Sequence, residues 1–313
     1  MNLISSLVTA FIFVSSLIGA GFATGKEIGV FFSNSNLFSV ALTGVLIGIF
    51  SYPFIALGIK SKTDLNTALF KNHLEIGTTI IRTINFIFLG AMLGGAESIT
   101  YEVLGIRYGS FIMAVVTILI YEFGMNKVKW LSAISVPIIL IFFCILFIRQ
   151  HGKIEGTSNY VSPLIYASLN TANAGIFSTS FSNKNTIKDA PLISFCIGAF
   201  TSILIIVAKA IIVGYESNTM PLYSVSLDTN FSIFSVIVIL LSILTSCLSS
   251  LSLSTGKKEL SPYFTCSLAL VLSSLGFGQL IKYVYPAIGI IGFALIILAF
   301  IRLISTYLKN SKI

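Results

Sequence analysis

The chain has 313 residues, of which 56% are hydrophobic and 10% charged, against roughly 25% charged in an ordinary soluble domain. This excludes a water-soluble globular protein. At about 20 apolar residues per bilayer crossing, the length accommodates ten helices with short connections and leaves no room for a sizeable soluble domain. The excess of 19 Lys+Arg over 11 Asp+Glu, a net charge of +8, is first a topology signal and needs no nucleic-acid partner.

Apolar runs between Asn, Ser, Lys and Pro clusters predict an all-α integral membrane protein. It forms one transmembrane domain over 1–313, with spans near 3–32, 37–60, 76–103, 108–124, 127–149, 161–182, 188–215, 230–255, 260–277 and 283–308. No basic residue precedes Lys26, so the N-terminus reads as a first helix and not as a cleaved signal.

That first run would be about 45 Å long as one helix, too long for an untilted crossing. An interruption is predicted at Gly19-Ala20-Gly21-Phe22-Ala23-Thr24-Gly25, where three glycines lower helix propensity. Backbone freed at membrane depth is tolerated only where protein or a water-filled cavity satisfies it, so Gly19, Ala20, Gly21 and Phe22 form a candidate ligand site. The competing reading is a Gly-x-x-x-Gly packing face through Gly21 and Gly25. Lys26 and Glu27 just beyond read as a structural pair or as vestibule charges.

In the third span Gly90, Gly94, Glu97 and Tyr101 share one helical stripe. An ionisable group at membrane depth is by default a functional hypothesis, so Gly94, Glu97 and Tyr101 are expected to line a crevice. Glu97 would there accept a proton or pair with a substrate amine. Snorkelling, or a salt bridge to Lys26 or Lys209, is the alternative. The sixth span carries Asn170, Thr171, Asn173 and Gly175 in a polar, small-residue stretch, which predicts a second broken helix. Ten spans divide into five plus five, repeats of about 1–150 and 160–313, with the two breaks opening each half. This is the pattern of inverted-repeat transporters, whose half-helix N-termini meet anions and whose freed carbonyls meet cations. A small zwitterion such as an amino acid suits both ends.

Lys209 in the seventh span reads as snorkelling to the interface. In the eighth span Ser242, Thr245, Ser246 and Ser249 recur at three and four residues, a hydroxyl-rich face suited to a hard cation; hydrogen bonding to neighbouring helices or to their own backbone is the bland alternative. Cys144, Cys196, Cys247 and Cys266 lie in apolar segments and are read as packing residues. His73 and His151 fall in connections, and no hydrolase, zinc or phosphate-loop motif appears, so no catalytic residue and no enzyme activity are expected. Lys60, Lys62, Lys71, Lys127, Lys129, Lys184, Lys188, Lys257, Lys258, Arg302, Lys309 and Lys312 fall on one side. Arg107, Arg149, Lys153 and Lys282 fall on the other, which predicts cytoplasmic termini in the cytoplasmic membrane.

Three stretches carry a resemblance: Ile18-Gly-Ala-Gly-Phe-Ala-Thr-Gly-Lys-Glu27-Ile, Leu244-Thr245-Ser246, and Gly276-Phe-Gly-Gln-Leu with Tyr285-Pro286-Ala-Ile-Gly289. Through them the chain resembles LeuT-fold members of the amino acid–polyamine–organocation superfamily, specifically the YkvI-like bacterial membrane proteins. The resemblance implies a central site between spans one, three, six and eight, alternating access, and no organic cofactor. It also implies a sodium site pairing first-span backbone and hydroxyl groups, Ser16 and Gly19 here, with a small-x-x-Thr/Ser-Ser/Thr pattern. Ser242-x-x-Thr245-Ser246 fits that pattern and Ser246-x-x-Ser249-Ser250 fits it as well. Proton-coupled relatives place a lysine in the fifth span; none occurs between 130 and 148, which tilts coupling towards sodium. A proton-coupled carrier, and a non-transporting receptor similar to the germinant receptors, are the alternatives.

Overall fold

The computed structural model describes residues 3–61, 69–70, 74–179, 185–256 and 260–310. Lys62, Lys71, His73, Lys184, Lys257, Lys258 and Lys312 lie outside the described residues. The regular structure of the described residues is helical, with one isolated bridge, Ser35 to Thr157. Its first apolar run is three helices, α1 (Leu3–Leu17), α2 (Ala20–Ala23) and α3 (Lys26–Phe32). Next come α4 (Leu37–Ser61), α5 (Leu74–Leu104), α6 (Gly109–Glu122), α7 (Met125–Arg149) and α8 (Val161–Thr179). Then follow α9 (Ala190–Ile211), the short α10 (Pro221–Asp228), α11 (Ser232–Thr255), α12 (Pro262–Ser273), α13 (Phe277–Gln279) and α14 (Tyr285–Asn310). A π-helical turn, Leu280–Val284, joins the last two.

Six helical stretches among the described residues are long and apolar enough to cross a bilayer: Leu37–Lys60, Leu74–Leu104, Val128–Arg149, Ile187–Ile211, Ser232–Thr255 and Phe277–Leu308. Three shorter apolar helices, α1, α6 and α12, accompany them.

The sixth span corrects the expectation of a second break. α8 runs without interruption through Asn170 to Gly175. Its polar groups are met inside the helix, Asn170 Nδ2 donating to the Tyr166 carbonyl at 3.0 Å and Ser178 Oγ to the Gly175 carbonyl at 3.1 Å. Polarity here marks a face and leaves the backbone helical.

Small residues set the closest helix crossings. α4 and α9 meet where a Cβ on Gly48 would lie 3.0 Å from the Gly198 Cα, so two backbones touch with no side chain between them. α14 lies on α8, where a Cβ on Gly292 would come within 2.6 Å of the Ser168 carbonyl. α8 also packs along α4, with Gly175 against the Phe54 ring. On the other flank α5 packs against α11 and α12. α1 is buried from Thr9 through Leu17 except at Phe11, and it touches α7, α8, α9 and α11.

The end of the bundle around α3 is closed by the connection after α9. Gly25 takes φ +80°, a left-handed conformation that glycine adopts without a Cβ clash, and turns the chain into α3. The Leu222 amide donates to the Thr24 carbonyl at 2.8 Å, and the Glu216 backbone lies against Gly29. Lys209 does not snorkel: its side chain is 2% exposed and its Nζ is 2.9 Å from Glu216 Oε1 and 3.1 Å from the Ser33 carbonyl. Burial opposes the Glu216 charge, but the Lys209 ammonium and the Gly214 amide that donate to it outweigh burial. They hold the carboxyl below its ordinary 4.5.

A polar cavity at the interruption of the first run

α1 ends because Gly19 is extended, with φ −91° and ψ −167°. Its amide turns back to the Leu17 carbonyl at 2.9 Å, and the Ala20 amide donates to Met92 Sδ at 3.0 Å. The carbonyls of Ser15 and Ser16 therefore lose the donors that a continuous helix would supply four residues on. A Cβ at Gly19 would stand 2.7 Å from Met92 Sδ and 3.3 Å from Ser246 Oγ, so only glycine lets α5 and α11 approach the gap.

A nearly enclosed cavity opens at this point. Measured at water centres it holds about 10 Å³, room for about one water molecule. Ser16, Leu17 and Gly19 line it from the α1 end, Glu27 from α3, and Phe88 and Met92 from α5. Asn170 and Asn173 from α8, with Ser246 and Ser250 from α11, complete the wall. The polar groups are oxygen-rich. Ser246 Oγ donates to the Ile18 carbonyl at 3.2 Å and Ser16 Oγ to Ser249 Oγ at 3.2 Å. Ser250 Oγ and Asn173 Oδ1 are buried with no hydrogen-bond partner among the described residues.

Glu27 is the residue that sequence reasoning misplaced. It is 3% exposed and its Oε2 accepts the Tyr166 hydroxyl at 2.9 Å. Tyr166 is itself fixed by edge-on contacts with Phe31 and Phe32 at 5.1 and 5.2 Å. The Glu27 side chain lies over Gly21, where any Cβ would strike its carboxylate. Lys26 is not its partner and turns away to the Asn218 carbonyl at 2.8 Å. A readable signal existed: residues i and i+1 on a helix do not face each other, so Lys26 and Glu27 could not form a lateral pair.

The remaining predicted residues fall in different places. Gly19, Asn170 and Asn173 line the cavity, as do Ser16 and Ser246; Gly21 supports it from beneath Glu27. The Ala20 amide is tied to Met92, and Phe22 packs on Phe143 with ring centroids 5.7 Å apart. Thr171 is buried away from the cavity and Gly175 faces Phe54. On α11, Thr245 Oγ1 bonds the Ser242 carbonyl and Ser242 Oγ the Val238 carbonyl, so both hydroxyls are used within their own helix.

Glu97, Gly94 and Tyr101 do not share the crevice, which corrects the expected stripe. Glu97 Oε2 accepts the Ser110 amide at 2.9 Å and the Ser110 hydroxyl at 3.0 Å, capping the first turn of α6. Tyr101 is 49% exposed, with the Arg107 guanidinium 5.0 Å from its ring centre. Gly94 faces Ser273 and Phe277. Only the glycines of the stripe, Gly90 and Gly94, are turned towards α12 and α13.

No family model matches the chain. It is 26% identical to the membrane protein YkvI of Bacillus subtilis (strain 168), an alignment covering 92% of this chain and 93% of that protein. Among solved structures it is similar to Mhp1, a nucleobase-cation-symport-1 family transporter determined in a closed conformation with bromovinylhydantoin bound. The TM-score is 0.60 at 12% identity, over 86% of this chain and 70% of Mhp1. The chain is thus a multi-pass helical membrane protein that shares the fold of Mhp1 and is similar along nearly its whole length to YkvI.

Proposed function

We propose that the chain is a secondary active transporter that carries a small solute by alternating access, with the cavity at the α1–α2 interruption as its solute site. The observation that carries this reading is the placement of an oxygen-rich, enclosed cavity where an apolar helix is interrupted at depth within a LeuT-like bundle. Taking α1–α3 as one span and α13–α14 as the last gives ten spans in two halves of five, with both termini on the Lys/Arg-rich cytoplasmic side. In this reading the second half contributes the side chains Asn170 and Asn173 where the first contributes freed backbone.

Sodium is the proposed coupling ion. The donors at the interruption are hydroxyls and carbonyls, with Ser246 on the Ile18 carbonyl, Ser16 on Ser249, and Ser250 Oγ without a partner beside them. Ser246, Ser249 and Ser250, rather than Ser242 and Thr245, would hold the ion together with Ser16 and the backbone near Gly19, at the contact of α1 with α11, which leaves Glu27 of α3 and Asn170 and Asn173 of α8 to the solute. The ion would supply a positive charge that solute binding and helix closure both sense. For the solute, the amino-acid reading keeps its ammonium half. Its carboxylate half rested partly on a broken α8, which is continuous.

The test is uptake of labelled amino acids and simple amines into proteoliposomes with an imposed sodium gradient, a proton gradient, or neither. Sodium-driven accumulation is expected. Binding in detergent without uptake under any gradient would replace the transporter by a receptor on the same fold.

A further inference from the structure

The charge of the cavity remains to be accounted for, and the inference below rests on the cavity's being the solute site. Among the described residues Glu27 is the only ionisable one lining it. The cations on neighbouring elements are committed elsewhere, Lys26 to the Asn218 carbonyl and Lys209 to Glu216 and the Ser33 carbonyl. The Tyr166 hydroxyl gives Glu27 one neutral donor, which leaves its charge uncompensated by any protein cation among the described residues. Asn173 Oδ1 adds a buried acceptor without a donor among the described residues. An ammonium group has three donors and no acceptor, and its positive charge is the complement of this wall. An anion would meet only neutral donors there: among the described residues no Lys or Arg lines the wall, the amides of α8 are spent within a continuous helix, and α2 is a single turn.

We infer that Glu27 is the ion-pairing residue of the cavity, and that the solute it takes presents a protonated amine there and needs no carboxylate to be recognised. Tyr166 positions the carboxylate, and Gly21 leaves space for it beside the helix interruption. Because the cavity is closed to about one water in size, a solute larger than the ammonium head enters only when the walls separate.

The experiment uses the full chain purified in detergent at fixed sodium chloride, with four probes of matched shape: leucine, 3-methylbutylamine, N-acetyl-3-methylbutylamine and 4-methylpentanoate. Corresponding sets built on alanine and phenylalanine cover smaller and larger solutes. Within the set of fitting size, isothermal titration should show binding of the amine and the amino acid and none of the acetylated amine or the acid. Glu27→Gln, which keeps shape and removes charge, should weaken amine binding by about 30-fold or more, as expected when a buried charge pair loses one partner. Binding of the acid or the acetylated amine as tightly as the amine would overturn the inference without recourse to any variant. So would parental affinity in Glu27→Gln, or the failure of every amine to bind. Uptake in proteoliposomes separates the two readings. Transport of an uncharged solute with no amine binding leaves a transporter and removes the ammonium site, whereas amine binding without uptake leaves the ammonium site and removes transport.

Discussion

The Lys209–Glu216 pair makes an asymmetric prediction. At 2.9 Å and an effective dielectric of about 20, the gross attraction is about 6 kcal/mol, and desolvating a buried ammonium consumes much of it. The net value of the pair is therefore small while the penalty for half of it is large. Glu216→Ala strands a charge that is 2% exposed with, among the described residues, the Ser33 carbonyl alone for company, and should cost about 3–5 kcal/mol. Lys209→Met removes that charge and leaves Glu216, a quarter exposed and still holding the Gly214 amide, at a cost of about 1 kcal/mol. The double variant should lie between the two, recovering stability lost in Glu216→Ala. Melting midpoints of the three variants in one detergent rank them. A double variant less stable than Glu216→Ala, or a Lys209→Met as damaging as Glu216→Ala, would refute the argument from stranded charge.

Because the Glu216 carboxyl is held below its ordinary 4.5, the pair's contribution is complete above that value and is lost as pH falls through the lower folded value. The parent minus Lys209→Met difference in midpoint should hold from neutral pH to about pH 5 and shrink below it. A difference that grows on acidification would contradict the sign. Glu97→Gln should leave uptake and its pH profile unchanged, since Glu97 caps α6, whereas Glu97→Ala should lower stability by about 1 kcal/mol; altered proton dependence in the Gln variant would restore Glu97 to the site. Ser246→Ala should reduce the sodium dependence of solute binding while Thr245→Ala leaves it near parental, because only Ser246 reaches the Ile18 carbonyl. Equal effects would return the cation site to the Ser242–Ser246 register. Gly48→Val should cost about 1–3 kcal/mol through overpacking against Gly198, read as a lower folded yield in membranes; an unchanged yield and midpoint would show that α4 and α9 can part.

Span positions were legible because bilayer crossing demands long apolar runs, and α4, α5, α7, α9 and α11 fall within a few residues of the expected segments. The interruption near Gly19 was legible for a different reason: three glycines within seven residues at the middle of an overlong run leave few other conformations. The same logic failed at Asn170–Gly175 because side-chain polarity and backbone interruption leave similar traces in composition. Asparagine facing a cavity and asparagine replacing a helix bond cannot be told apart until the neighbours are known. Glu97 failed similarly. Its stripe was correctly periodic, but periodicity says which residues share a face and not which helix that face meets. Glu27 was hidden by its sequence neighbour: Lys26 offered an easy partner in one dimension, although adjacent residues on a helix point to different faces, as Lys26 to Asn218 and Glu27 to Tyr166 do.

The backbone contact between α4 and α9 has a mechanical consequence. Where two helices touch at glycine with no side chain to act as bearing, neither can slide or roll without collision, so the pair acts as one stiff beam. α8 is fastened to that beam through Gly175 and Phe54, and α14 to α8 through Gly292. The opposite wall, built from α5 and α11, belongs to a second stack with α12, and α7 packs on both stacks through α9 and α11. The cavity thus lies on the seam between two blocks, with α1 touching both. A helix of 19 residues like α8 is about 28 Å long, and tilting its block by about 10° about one end carries the other about 5 Å. Asn170 and Asn173, near the middle of α8, would move by about 2–3 Å in such a tilt, which in the proposed transporter would open the cavity while the glycine contacts inside the block stay as they are.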